Sequence, residues 1–166
     1  EMANPDLVAA LEEIESKRLG NCAGIQALVW SFTNDHSIAS IVTYDGGKMK
    51  ASELQAIAAK HKHVAIPTYQ VDYEEASEND GLAFSGKPNR VESSLQFILA
   101  DQEDVRVVLR DERGEIVKFV ELIHGQKAGQ LNLPVDLDVS GFSRGNYSLA
   151  AESSTGKSLS QMTIQI

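Results

Sequence analysis

Cysteine is almost absent: Cys22 stands alone, so an internal disulfide and any cysteine-based zinc cluster are excluded. No apolar run approaches the ~18 residues of a membrane-spanning helix, so no membrane insertion is expected. The N-terminus lacks the basic, then apolar, then small-residue order of a cleaved secretion signal, although export by a route leaving no such mark stays open. Glu1-Met2 reads as a scar ahead of a truncated start, which would hide any targeting segment. Basic runs are missing too. With a formal net charge of −9 and a pI near 4.9, the surface repels nucleic-acid phosphates and anionic lipid, so no nucleic-acid partner is expected.

What remains is an ordinary globular composition, 42% hydrophobic and 23% charged, enough at 166 residues for one good core or two small ones. Asn4-Pro5 suits a cap followed by proline at the first helical position, and Leu7, Val8, Leu11 and Ile14 form an apolar stripe, which predicts a helix over 5–19 stopped by Gly20-Asn21. Residues 24–32 fit either a second helix or a strand. Residues 38–44 read as a strand closed by Asp45-Gly46-Gly47, and Ser52 to His61 as a helix capped by Ser52 with Leu54, Ile57 and Ala58 on one face. At His63 the grammar changes to alternation. An acidic loop is expected over 74–81, and strands at 82–86, 93–99, 104–110, 115–122, 128–135, 145–151 and 158–166. Val105, Val107 and Leu109 alternate with Arg106 and Arg110, the period of a strand wet on one face and dry on the other.

The fold class expected is therefore mainly β. A helical arm and linker fill 1–62 (38–50 open to being strands), a small Tudor/SH3-like barrel segment 63–89, and an immunoglobulin/fibronectin-III-like β-sandwich 90–166. The sandwich lacks the Cys and Trp signature of antibody domains.

Each place where chemistry could reside has a plainer reading. Ala151-Glu-Ser-Ser-Thr-Gly156-Lys157-Ser158 fits a loose phosphate-binding loop, but such a loop needs a helix after it. Leu159 to Ile166 alternates like a strand, so a hairpin turn with Gly156 at positive φ is expected. Cys22 with His63 suggests a thiol hydrolase, yet no third, orienting group can be assigned. His61-Lys62-His63 near Asp72, Glu74 and Glu75 could ligate a metal, and Asp136-Leu-Asp138 calcium. Surface histidines and a polar turn are the simpler accounts. No catalytic set, cofactor or metal is expected. The apolar segment Ile25, Leu28, Val29, Trp30 and Phe32 is the candidate partner-binding surface, with packing in the core as its alternative.

Three stretches resemble the flagellar hook-capping (hook assembly scaffold) family. They are Asp6 to Ile14 with Gly24-Ile-Gln-Ala-Leu28 and Ser31-Phe32; Ala51-Ser-Glu-Leu-Gln-Ala56 leading to His63-Val-Ala-Ile-Pro-Thr68 and Gln70-Val71; and Val105 to Val117 with Glu121-Leu122, Ala128-Gly129 and Gly145-Asn-Tyr147. The chain departs from the family at Leu133-Pro-Val-Asp136, where a Trp-Asp-Gly turn is common, and no barrel-closing segment is recognisable before Ile166. The resemblance implies a non-enzymatic cap at the growing hook tip, exported without a cleaved signal, whose partners are hook subunits and itself in a homo-oligomer. The alternatives are a generic extracellular or virion β-sandwich binding module and the Cys22/His63 hydrolase.

Overall fold

The computed structural model of the chain describes residues 4–19, 23–41, 48–75 and 84–166, and the chain divides into two units, Glu1–Gly86 and Lys87–Ile166. Cys22, the Gly20-Asn21 stop, the Asp45-Gly46-Gly47 turn and most of the acidic loop lie outside the described residues.

In the first unit the Asn4 side chain accepts a hydrogen bond from the Asp6 amide at 3.0 Å, and Pro5 opens helix α1 (Pro5–Ser16). The buried face is Ala10 and Ile14 with Leu7 packed beside them, while Val8 and Leu11 of the expected stripe stay exposed. The helix ends one turn before Gly20. Arg18 takes the left-handed conformation (φ 54°) and the Leu19 amide reaches back to the Ile14 carbonyl at 3.3 Å. Helix α2 (Ala23–Thr33) resolves the ambiguity at 24–32. The expected strand over 38–44 is instead a 3-10 turn at Ile38–Ser40, because the Ser37 hydroxyl accepts from the Ala39 amide and its carbonyl from the Ser40 amide; residues 42–44 lie outside the described set. Helix α3 (Lys48–Lys62) begins four residues before Ser52, so Ser52 is not its cap. Met49, Lys50 and Ala51 are good helix formers that carry the helix upstream. Leu54, Ile57 and Ala58 are buried, and with Leu28, Ile38 and Ile41 they form the unit's core.

His63 does not begin a strand. It sits left-handed (φ 57°) at the end of α3, whose last turn is closed by the Val64 amide on the Ala59 carbonyl at 3.0 Å. Of the expected barrel segment, the described residues show one strand, β1 (Gln70–Glu75), and the start of β2.

The second unit is antiparallel sheet. Strand β2 (Phe84–Leu99) is continuous where two strands, 82–86 and 93–99, were expected. Pro88 precedes Arg90, the first residue paired to β5 (Gly129–Asp138), so its missing N–H removes no rung of that ladder. A four-stranded sheet runs in the order β4 (Ile116–Gln126), β3 (Glu103–Arg110), β6 (Asn146–Ser153), β7 (Ser158–Gln165). Val91, Leu95, Phe97, Leu99, Val135 and Leu137 are buried on the β2–β5 ladder, and Val105, Val107, Leu109, Leu149 and Ile164 on the four-stranded sheet. These are the alternate positions of their strands, so each sheet turns one apolar face inward. The Ser93 hydroxyl lies 2.9 Å from the Met162 sulfur, tying β2 to β7 across the layer. The β6–β7 connection is a hairpin turn. The Ser153 amide bonds the Lys157 carbonyl at 2.8 Å and Gly156 has φ 83°, so the phosphate-loop spelling holds no helix N-terminus.

Candidate functional site: the outer face and free edge of β4

Strand β4 ends the four-stranded sheet, so one side of its backbone faces no strand of that sheet. Its pairing with β3 is irregular. Val107 lies opposite Glu121 and Val108 opposite Phe119, which leaves Val120 as an extra, bulged residue. The bulge sets the chemistry of the edge. Arg106 pairs with Leu122 and Val108 with Phe119, and Arg106 and Val108 occupy the face of β3 opposite the buried Val105, Val107 and Leu109. Phe119 and Leu122, three apart in sequence, therefore share the outer face. They are 68% and 56% exposed. Between them and Arg106, Asp104 and Ser154 lies an open cleft of about 530 Å³.

Beside this apolar pair the outer face is unusually dry. Val108 is buried although it points away from the core, as is Ala150, its partner on β6. Glu152 is only 8% exposed at its side chain. One of its oxygens accepts from Arg106 Nε at 2.8 Å and the other from an Arg110 terminal nitrogen at 2.7 Å. Burial alone would raise the Glu152 carboxyl, but the hydrogen bonds from Arg110 and Arg106 outweigh it and hold the group below the ordinary carboxylate range. The three side chains form an ion-paired platform on the strand next to Leu122, which lies opposite Arg106. At the far end of β4, the Gly125 amide (2.7 Å) and the His124 ring (3.1 Å) bind Asp104 and lower its pKa.

The residues singled out in the sequence lie elsewhere. Leu28 is wholly buried. Ile25 and Phe32 pack half-buried against the first unit's core, and Val29 and Trp30 are also half-buried. Trp30 sits 5.4 Å from His36, whose ring stacks on Tyr73 at 4.8 Å. His61 does not join His63 around a metal. It lies 2.9 Å from Glu13, which also takes Lys60 and Lys17, and these partners (Lys60 first, then Lys17 and His61) pull the Glu13 carboxyl down to about 2. Asp136 is held by Arg90, and Asp138 by Ser140. Among the described residues no group of three or more His, Cys, Asp or Glu is placed to hold a metal, and no helix is long and apolar enough to cross a membrane.

The β4 face was missed in the sequence, although a signal was present. Ile116-Val-Lys-Phe-Val-Glu-Leu-Ile123 puts apolar residues at neighbouring positions, more than one buried face can absorb.

No family model and no curated protein matches the chain. Among solved structures, a β-glucosidase from Kluyveromyces marxianus aligns at 16% identity and a TM-score of 0.33 over 68% of this chain. An endonuclease/exonuclease/phosphatase from Beutenbergia cavernae aligns at 19% identity and a TM-score of 0.30 over 62% of it. The alignments span 17% and 28% of those chains, and likenesses this faint carry neither fold nor activity to this one.

Proposed function

We propose that this chain is a non-enzymatic scaffold of flagellar hook assembly, acting at the hook tip after export without a cleaved signal peptide, and contacting hook subunits and other copies of itself. The observation that carries a protein-contact role is the exposed Phe119–Leu122 pair on the free edge of β4. Apolar side chains this exposed, clustered beside a strand edge that pairs with no further strand among the described residues, favour a macromolecular partner over solvent.

The second unit is read as an immunoglobulin/fibronectin-III-like sandwich, with 63–89 as the Tudor-like segment. Two features support the sandwich reading. The β4-β3-β6-β7 order, with β5 returning to β2, is that of a Greek-key sandwich. Tyr147, near the start of β6, donates its hydroxyl to the Ser143 carbonyl at 2.8 Å, the corner by which such sandwiches pin the loop leading into that strand. The specific hook assignment rests on the resemblance of residues 51–152.

The test is deletion of the gene in its flagellated host. Absent hooks, with hook subunits leaking into the medium, support the assignment; hooks of normal length and number refute it.

A further inference from the structure

We infer that β4 is the self-association edge of this protein, pairing antiparallel with β4 of a second copy about a two-fold axis between Val120 and Glu121. The inference rests on the reading of β4 as a contact surface, but not on the flagellar assignment.

Three features of the strand select a second copy as the occupant. First, the Val120 bulge places Phe119 and Leu122 on one face, and the proposed axis lies midway between them. Phe119 then stands opposite Leu122 of the second copy, and Leu122 opposite its Phe119, so each exposed apolar group is covered by the other. Second, Lys118 and Glu121 share the opposite face, since they pair with Leu109 and Val107. The Lys118 ammonium donates to the Asp138 carbonyl at 2.7 Å and lies over the Phe142 ring of its own chain; about the same axis Glu121 of the second copy lies diagonal to it, so opposite charges approach each other twice. Third, sliding the pairing by one residue sets Phe119 against the face that carries Glu121 and breaks both matches, so the register is specified. One symmetric contact thus gives each exposed apolar side chain a partner and brings opposite charges together on the other face. The platform of Arg106, Glu152 and Arg110 flanks the contact with both arginines bonded to Glu152, and the one net positive charge left stays on their part-exposed guanidiniums.

A contact of one strand edge and two aromatic–aliphatic pairs is smaller than a standard interface, so a dissociation constant of about 10–100 μM is expected. The experiment uses the whole 166-residue chain. Sedimentation equilibrium from ~5 to ~200 μM is expected to show growth toward twice the 18.1 kDa monomer mass, and Phe119→Lys/Leu122→Lys is expected to weaken the association at least ~10-fold with an unchanged circular dichroism spectrum.

Register is tested separately in a Cys22→Ser background. Residues directly opposite in an antiparallel pair have Cα separations of about 4.5–5.5 Å, within disulfide reach. Phe119→Cys/Leu122→Cys should therefore form a disulfide-linked dimer in oxidised glutathione, and Ile98→Cys, exposed on β2, should not. A chain that stays monomeric across the range overturns the inference, as does a dimer insensitive to the lysine pair or one that cross-links equally through position 98. None of these results bears on the deletion phenotype, so the two claims fail separately.

Discussion

Replacing Glu152 by glutamine tests whether the outer platform holds the four-stranded sheet together. The carboxylate accepts from Arg106 on one oxygen and from Arg110 on the other, at 2.7–2.8 Å, and bridges β3 to β6. It is 8% exposed, against 35% and 28% for the two arginines. Glutamine keeps the shape, loses the charge and turns an NH2 toward one guanidinium. A charge-assisted hydrogen bond contributes about 1.5–3 kcal/mol, and breaking a fully buried pair costs about 3–5 kcal/mol. The arginines keep enough solvent access to recover part of that, so the expected loss is about 2 kcal/mol. For a unit of this size, with a urea m-value of about 1 kcal/mol/M, the midpoint falls by roughly 2 M. The assay is urea unfolding followed by far-UV circular dichroism, with Arg106→Gln and Arg106→Gln/Glu152→Gln completing a double-mutant cycle. A shift within about 0.5 kcal/mol, the range of ordinary surface substitutions, would refute the reasoning.

Further outcomes follow from the same geometry. Glu13 should make the helical unit acid-sensitive. Its folded value of about 2 lies below the ordinary 4.5, so its stabilisation is full above about 4.5 and is lost as pH falls toward 2; Glu13→Gln should flatten that part of a stability-versus-pH curve. Arg18→Gly should stabilise the same unit by up to about 1 kcal/mol, because Arg18 occupies left-handed space that glycine enters without a Cβ clash; a lower thermal midpoint would contradict this. Tyr147→Phe should cost about 1 kcal/mol by leaving the Ser143 carbonyl without its donor, read as an earlier urea midpoint. Phe119→Lys should leave monomer stability within about 0.5 kcal/mol, because its side chain is exposed.

Some of this architecture was legible in the residues. Asn4-Pro5 announces the start of α1 because a capping side chain and a pre-set φ act locally. The alternation of Val105, Val107 and Leu109 and the glycine turn at Gly156 mark strands and a hairpin by equally local rules. Features set by tertiary or competing local contacts were not legible. Residues 38–41 have strand-like composition, yet the Ser37 hydroxyl offers a nearer partner and draws the backbone into a 3-10 turn. Pro88 looks like a break, and only the pairing register shows that β2 can run through it. Val108 and Glu152 are buried on an outward face, where Glu152 takes two arginines of the neighbouring strand, and alternation alone does not foresee this. The pairing of Phe119 with Leu122 on one face depends on a bulge that no spacing rule places at Val120.

The central claim is that the protein works as a scaffold through the apolar edge of β4. Hook formation in the native host carrying Phe119→Lys/Leu122→Lys at wild-type protein level tests it most directly. The account predicts missing or stunted hooks, with hook subunits released into the medium. Hooks of wild-type length and number would contradict it.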